Sequence, residues 1–235
     1  MMPSETPQPI AWATSTGLTA YQDALAIMEE RADRIAAGDA GELVWLIEHP
    51  ALYTAGTSAK AEHLVDAARL PVHKTGRGGE LTYHGPGQRV AYLMLDVRSR
   101  FGGDVRGFVK GLEAWVIDAL GSLGVTGRTI EGRVGVWVDE AGGDEAKIAA
   151  LGIRIRRGIS LHGISLNVEP DLADYAGIIP CGISDRGVTS LQKLGINARM
   201  KDVDKALRAA FERRFGLVFD APDPRRAVII TTSDR

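Results

Sequence analysis

One cysteine, Cys181, stands in the whole sequence. No disulfide can form within the chain and no cluster of thiolates can hold zinc, which fits a reducing compartment and leaves any role of Cys181 a solitary one. No apolar run reaches the roughly 18 to 20 residues that a membrane-spanning helix needs, and the opening MMPSETPQPIAW lacks the basic-then-apolar layout of a secretion signal. A soluble, cytoplasmic protein without a membrane partner is expected. Charge of one sign is also scarce: 28 Lys and Arg stand against 30 Asp and Glu, a net of −2, which argues against a general nucleic-acid binder. No Pro-, Ser- or Gly-rich linker interrupts the middle, and there is no internal repeat and no low-complexity segment. One domain over residues 9–220 is expected, with 1–8 and 221–235 as loose termini, and the chain is expected to be a monomer that needs no cofactor and no metal.

What the sequence does contain is enough apolar residue, 45%, for a sizeable core, and an unusual 28 glycines. These glycines sit beside strand-like runs in no fixed period, which suggests tight turns and close backbone approaches. Charge is unevenly spread: residues 147–226 carry 14 Lys/Arg against 9 Asp/Glu, and the remainder 14 against 21. Solvated helix faces account for most of this, with a surface for an acidic partner as the functional alternative.

Residues 17–37 put Leu18, Tyr21, Leu25, Met28 and Ile35 on one helical stripe that Gly38 would stop. A second helix is expected over 104–123, capped by Asp104 and burying Val105, Phe108, Leu112, Trp115, Ala119 and Leu123, and a last one over 201–214. Residues 42–48, 89–96, 134–139, 147–155 and 160–168 read as strands. Strands following strands between flanking helices predict an α+β domain with a mixed sheet.

The densest chemistry lies in Arg77-Gly78-Gly79-Glu80-Leu81-Thr82-Tyr83-His84-Gly85-Pro86-Gly87-Gln88. Paired glycines let a backbone pass close to a ligand, Arg77 can fork onto a carboxylate or phosphate, and Tyr83 and His84 offer a ring face and an imidazole. From spacing alone the run is equally a Gly-rich hairpin with a surface Arg and a satisfied His.

This run, RGGELTYHGPGQRVAY, closely resembles the signature of the lipoyl(octanoyl) transferase family. Glu48-His49-Pro50 with Tyr53-Thr54 and Gly56 upstream, and KIAALGIRIRRGISLHGISLNV and IIPCGISDRGVTSL downstream, resemble further segments of that family in the expected order. The resemblance implies a fold shared with biotin and lipoate protein ligases. It also implies an activity, the transfer of octanoyl from acyl carrier protein to the lipoyl domain of a 2-oxoacid dehydrogenase or to the glycine cleavage H protein. On this resemblance Cys181 matches the acyl-accepting thiol and Lys147 its partner; residues 77–84, Ala150-Leu151-Gly152 and Gly163-Ile164-Ser165 match the acyl-binding segments. Ala150 is a departure, since many members have Ser there.

The chemistry of these residues agrees. A carrier-bound acyl group is already a thioester, so moving it to a cysteine exchanges like for like, and its later move to an amine forms a more stable amide. The nucleophile must be a thiolate, and a free cysteine with a pKa near ~8.5 is only a small fraction ionised at neutral pH. Lys147 beside it would favour the thiolate, and the amides around Pro180-Cys181-Gly182 could face an oxyanion. Taken singly, a strand-edge lysine is a solvated stem and a lone cysteine a small buried hydrophobe. His84, and after it His162, are expected near the acyl pocket without the activating role. Two competing readings are an ATP-dependent lipoate or biotin ligase and a non-catalytic module that binds acyl carrier protein or lipoyl domains.

Overall fold

The structure, a computed structural model, describes residues 9–179 and 187–226, so Cys181 lies outside the described residues. In chain order the elements are β1 (Ile10–Leu18), α1 (Tyr21–Ala37), β2 (Leu43–Glu48), β3 (Leu52–Ala55), β4 (Val72–Lys74), β5 (Leu81–His84), β6 (Gln88–Met94), α2 (Val97–Phe101), α3 (Val105–Ser122), β7 (Arg128–Ile130), β8 (Arg133–Asp139), β9 (Glu145–Arg156), β10 (Ile159–Asn167), β11 (Gly187–Val188), α4 (Met200–Phe215) and β12 (Val218–Asp220). The main sheet runs β12-β1-β2-β6-β10-β9-β8-β7, with β11 added alongside β9. Its pairs are antiparallel from β2 to β7, while β1 is parallel to both β2 and β12 and β11 to β9. A small sheet, β4-β3-β5, stands apart. The architecture is the expected α+β arrangement of a mixed sheet flanked by helices.

Both faces of the main sheet are covered, which is why its central strands read as unbroken apolar runs and not as alternation. In β2, Val44 and Leu46 pack against α3 and α4, while Leu43, Trp45 and Ile47 pack toward Ala24, Met28 and Ala32 of α1. The α3–α4 layer is anchored by aromatic edges. Phe211 lies 5.4 Å from Trp12 and 5.3 Å from Trp115, and the Trp115 indole donates to Leu207 O at 2.7 Å, so its one polar atom is satisfied. The predicted Asp104 cap is present, its carboxylate accepting from Gly107 N at 2.9 Å. Gly38 ends α1 in the left-handed region at φ 83°, with its N–H on Ile35 O.

Three expectations need correction. The first helix begins at Tyr21 and not at 17, because Ile10–Leu18 forms a strand between β2 and β12; Leu18 is 48% exposed and belongs to no helical stripe. Val105 is 41% exposed at the first turn of α3, before the helix reaches the sheet. Residues from Ala221, expected to be loose, are tied down as far as Arg226. Ala221 N donates to Trp12 O, Ser15 Oγ to Asp223, and Arg225 to Thr16 O, all within 2.9 Å. More than half of the net excess of five cationic charges in residues 147–226 is paired with carboxylates outside that stretch, in Arg156–Asp33, Lys193–Glu140 and Arg214–Asp118. That favours the solvated-face reading. Among the described residues no helix is long and apolar enough to cross a membrane.

Candidate active site

Side chains on adjacent strands meet in rows across the sheet, and two rows make the floor of the site. Val90 of β6, Ser165 of β10 and Ala150 of β9 form one; Tyr92, Gly163 and Gly152 form the next. Four of these six residues are glycine, alanine or serine, so a trough is left where larger side chains would fill the space. The small sheet and the Arg77–Glu80 loop roof it, enclosing a cavity of about 250 Å³.

Arg77, Gly79, Glu80, Thr82, His84, Lys147, Ala150, Leu151, Gly152, Gly163, Ile164 and Ser165 all border this cavity. Gly78, Leu81 and Tyr83 do not. In β5 the side chains alternate, so Thr82 and His84 face the cavity while Leu81 and Tyr83 pack with Tyr53, Tyr175 and Ile178 in a satellite core. Gly78 serves the roof through its backbone, donating to Ile153 O at 3.0 Å.

Arg77 has a role the sequence did not suggest. Its guanidinium donates to Thr54 Oγ1 and Thr54 O, to Gly78 O and to Glu80 O, at 2.7 to 3.1 Å. These bonds rivet the loop to β3. Close approach is enforced on the other side by Gly56, where a Cβ would lie 2.2 Å from Gly79 O.

Lys147 is buried, 6% exposed, and lies on the cavity wall. Its Nζ donates to Val134 O at 3.0 Å and stands 4.8 Å from the centre of the Trp137 ring, whose negative face attracts a cation. The β8–β9 register shifts between Val136–Ala149 and Trp137–Lys147, so Ile148 is the extra residue of a bulge beside the lysine. Gly135, at φ 130°, makes room: a Cβ there would come within 2.9 Å of Ala149 O and 3.1 Å of Lys147 Cε. Gly135→Ala is therefore expected to destabilise the protein by about 1–3 kcal/mol and to displace Lys147. The check is a melting curve together with turnover measured well below the melting point, with turnover falling more than the folded fraction does.

Three histidines gather at the other side of the site. His49, from the Glu48-His49-Pro50 segment, is 5.8 Å ring to ring from both His84 and Tyr92, and Tyr92 is 6.2 Å from His162. Burial pushes the imidazoles down, to about 4 for His49 and about 3 for His84 and His162. All three are neutral at physiological pH, and bases this weak suit hydrogen bonding better than proton abstraction.

Two tautomers follow from their partners. Asn167 Nδ2 donates to Thr189 O, so Asn167 Oδ1 accepts from Gln88 Nε2 at 2.9 Å. Gln88 then presents Oε1 to His84 Nδ1 at 2.7 Å, which must carry the proton and leaves His84 Nε2 as an acceptor. Likewise His49 Nδ1 donates to Thr19 O, and its Nε2 accepts from the Tyr92 hydroxyl at 2.8 Å.

Tyr21, Val90, Tyr92, Arg133 and Val134 also border the cavity and were not expected to. Tyr21 reads as a core position of a helical stripe and Tyr92 as one more apolar member of a buried strand, so neither carried a separable signal.

A family model described as the lipoyl protein ligase A/B catalytic domain matches residues 20–212. The octanoyltransferase of Caulobacter vibrioides is 58% identical over 219 residues, covering 92% of this chain and 96% of the relative. That of Maricaulis maris is 59% identical, covering 91% and 96%. Among solved structures, lipoate-protein ligase A bound with ATP superimposes with a TM-score of 0.72 at 17% identity over 97% of this chain and 95% of the other, a likeness of fold. The chain belongs to the lipoyl protein ligase A/B catalytic-domain family.

Proposed function

We propose that this chain is an octanoyltransferase: it takes octanoyl from octanoyl-acyl carrier protein, holds it as a thioester on Cys181, and passes it to a lysine of lipoyl domains, including that of the glycine cleavage H protein. The observation that carries the reading is the buried Lys147 on the wall of a trough floored by small residues, with Val188, seven positions after Cys181, as its neighbour in the sheet. The described ends of the segment that holds Cys181 are both anchored. Ile179 N donates to His63 O at 2.8 Å, and Thr189 N to Lys147 O at 3.0 Å.

In the first half-reaction the Cys181 thiolate attacks the donor's carbonyl carbon. The acyl–sulfur bond to the carrier breaks, and the carrier leaves as a thiol with the proton Cys181 gave up. In the second, the acceptor's amine attacks the acyl-Cys181 carbonyl, the C–N bond forms, and Cys181 departs as thiolate while the amine's excess proton is accepted. Lys147 is the group suited to carry these protons. The neutral histidines are too weakly basic, and the hydrogen bond from Lys147 Nζ to Val134 O is available to the lysine charged or neutral. The trough receives the acyl chain.

Because a thioester already stores the energy of the amide bond, transfer from octanoyl carrier protein is expected to run with neither ATP nor magnesium present. Octanoyl-lipoyl domain formation scored by mass in chelator-treated buffer checks this. An absolute requirement for ATP with that donor would move the chain to the ligase reading, and absence of any product with or without ATP to the binding-module one.

A further inference from the structure

His162 carries two costs that the fold does not require. It sits inside β10 with φ 63°, the left-handed region that a non-glycine residue enters at a price of roughly 1–3 kcal/mol. Its Nε2 is buried with no hydrogen-bond partner among the described residues. The left-handed turn has a visible consequence. His162 pairs with Ile153, which packs with the cluster beside α3 and α4, yet the His162 ring is set edge-on to Tyr92 of the cluster beside α1, on the cavity. Its backbone N–H meets Met28 Sδ at 2.9 Å, which fixes it to α1.

Its position along the trough is set by register. His162 pairs with Ile153, six residues along β9 from Lys147, or on the order of 20 Å of strand. An eight-carbon acyl group, with C–C bonds of about 1.5 Å, extends roughly 9 Å from its carbonyl. With the reacting carbonyl on the Lys147 side of the cavity, the tail runs over the small-residue rows at Ala150/Ser165 and Gly152/Gly163 toward the His162 ring, which stands at the pair just past the second row.

Resting on the acyl-transfer reading, we propose that His162 is the end wall of the acyl pocket and sets the chain length that fits. Its neutral ring closes the trough without bringing a charge into apolar surroundings, and the strained backbone is what aims it there. Each further methylene must displace the ring or fold back.

The test is the rate of overall transfer to a lipoyl domain from carrier-bound C6, C8, C10 and C12 acyl groups, for the wild type, His162→Gly and His162→Asn. Glycine adopts φ 63° without strain and asparagine tolerates it, so both remove the ring and leave the backbone conformation accessible. A pocket discriminates one methylene by about tenfold or more. The kcat/KM ratio of C10 to C8 is therefore expected to rise at least tenfold in the glycine variant and by less in the asparagine one. A parallel fall at every chain length with an unchanged ratio would overturn the proposal, since that is what a purely structural residue produces. Should the glycine variant not fold, the asparagine variant alone decides by the same ratio. Failure of the transferase reading would look different, as no transfer by the wild type at any length, and the readout does not depend on the acyl group resting on Cys181.

Discussion

Cys181→Ala is expected to abolish both octanoyl transfer and formation of any acyl-enzyme, a loss of at least about a thousandfold, because no second nucleophile of comparable strength exists in a chain with one thiol. The described flanks are held by their own bonds, Ile179 to His63 and Thr189 to Lys147, so the variant is expected to keep the wild-type melting temperature within about 2 °C. Transfer assays with octanoyl carrier protein and an apo lipoyl domain, run beside a thermal melt, give both readings. Residual turnover within tenfold of wild type would place the reacting group elsewhere.

Substitution of Lys147 is expected to divide the two half-reactions. Arginine keeps a positive charge and effectively never loses its proton, so Lys147→Arg can still favour a thiolate by charge but cannot move protons. It is expected to form acyl-Cys181 at a measurable rate and to pass the acyl group on at least a hundredfold more slowly than wild type. Lys147→Ala loses charge and proton carrier together and is expected to be poor in both. The site sharpens the comparison, because Gly135, Val134 O and the Trp137 ring enclose the lysine and leave little room for the broader guanidinium. Stability of the arginine variant therefore has to be measured alongside. Single-turnover kinetics of each half-reaction separate the outcomes, and near-normal overall transfer by Lys147→Arg would reduce the lysine to a fixed charge.

Where local physics and global packing ask for the same thing, the sequence is readable. The α3 helix shows its Asp104 cap and its Phe108-Leu112-Trp115-Ala119 stripe because all of them are satisfied within one element. The buried runs of β2 and β6 show because a strand covered on both faces needs nothing but apolar side chains. The end of β1 is not readable in this way: Leu18 falls at helical spacing from Tyr21 and Leu25, and only the partner strand β2 reveals it as the strand's exposed end.

The site divides similarly. The small residues at 150, 152, 163 and 165 stand in the sequence, but that they form one floor depends on the β9–β10 register, which pairs Ala150 with Ser165 and Gly152 with Gly163. Arg77 looks like a ligand fork in one dimension and is a rivet in three, because the carbonyls it holds come from Thr54, 23 residues earlier, as well as from its own loop. The left-handed backbone at His162 has no sequence signature, since the residue is neither glycine nor asparagine.

The central claim, that the acyl group passes through a thioester on Cys181, is tested most directly by following that intermediate itself. The protein is mixed with octanoyl carrier protein without ATP, and its intact mass is read over time. A peptide digest locates the added octanoyl group, and the isolated acyl-enzyme is then chased with an apo lipoyl domain. The account predicts one octanoyl group per chain, on the peptide that contains Cys181, lost to the lipoyl domain at least as fast as steady-state turnover. An acyl-enzyme that forms but is consumed more slowly than turnover, or octanoyl-lipoyl domain produced while Cys181 is never acylated, would contradict it.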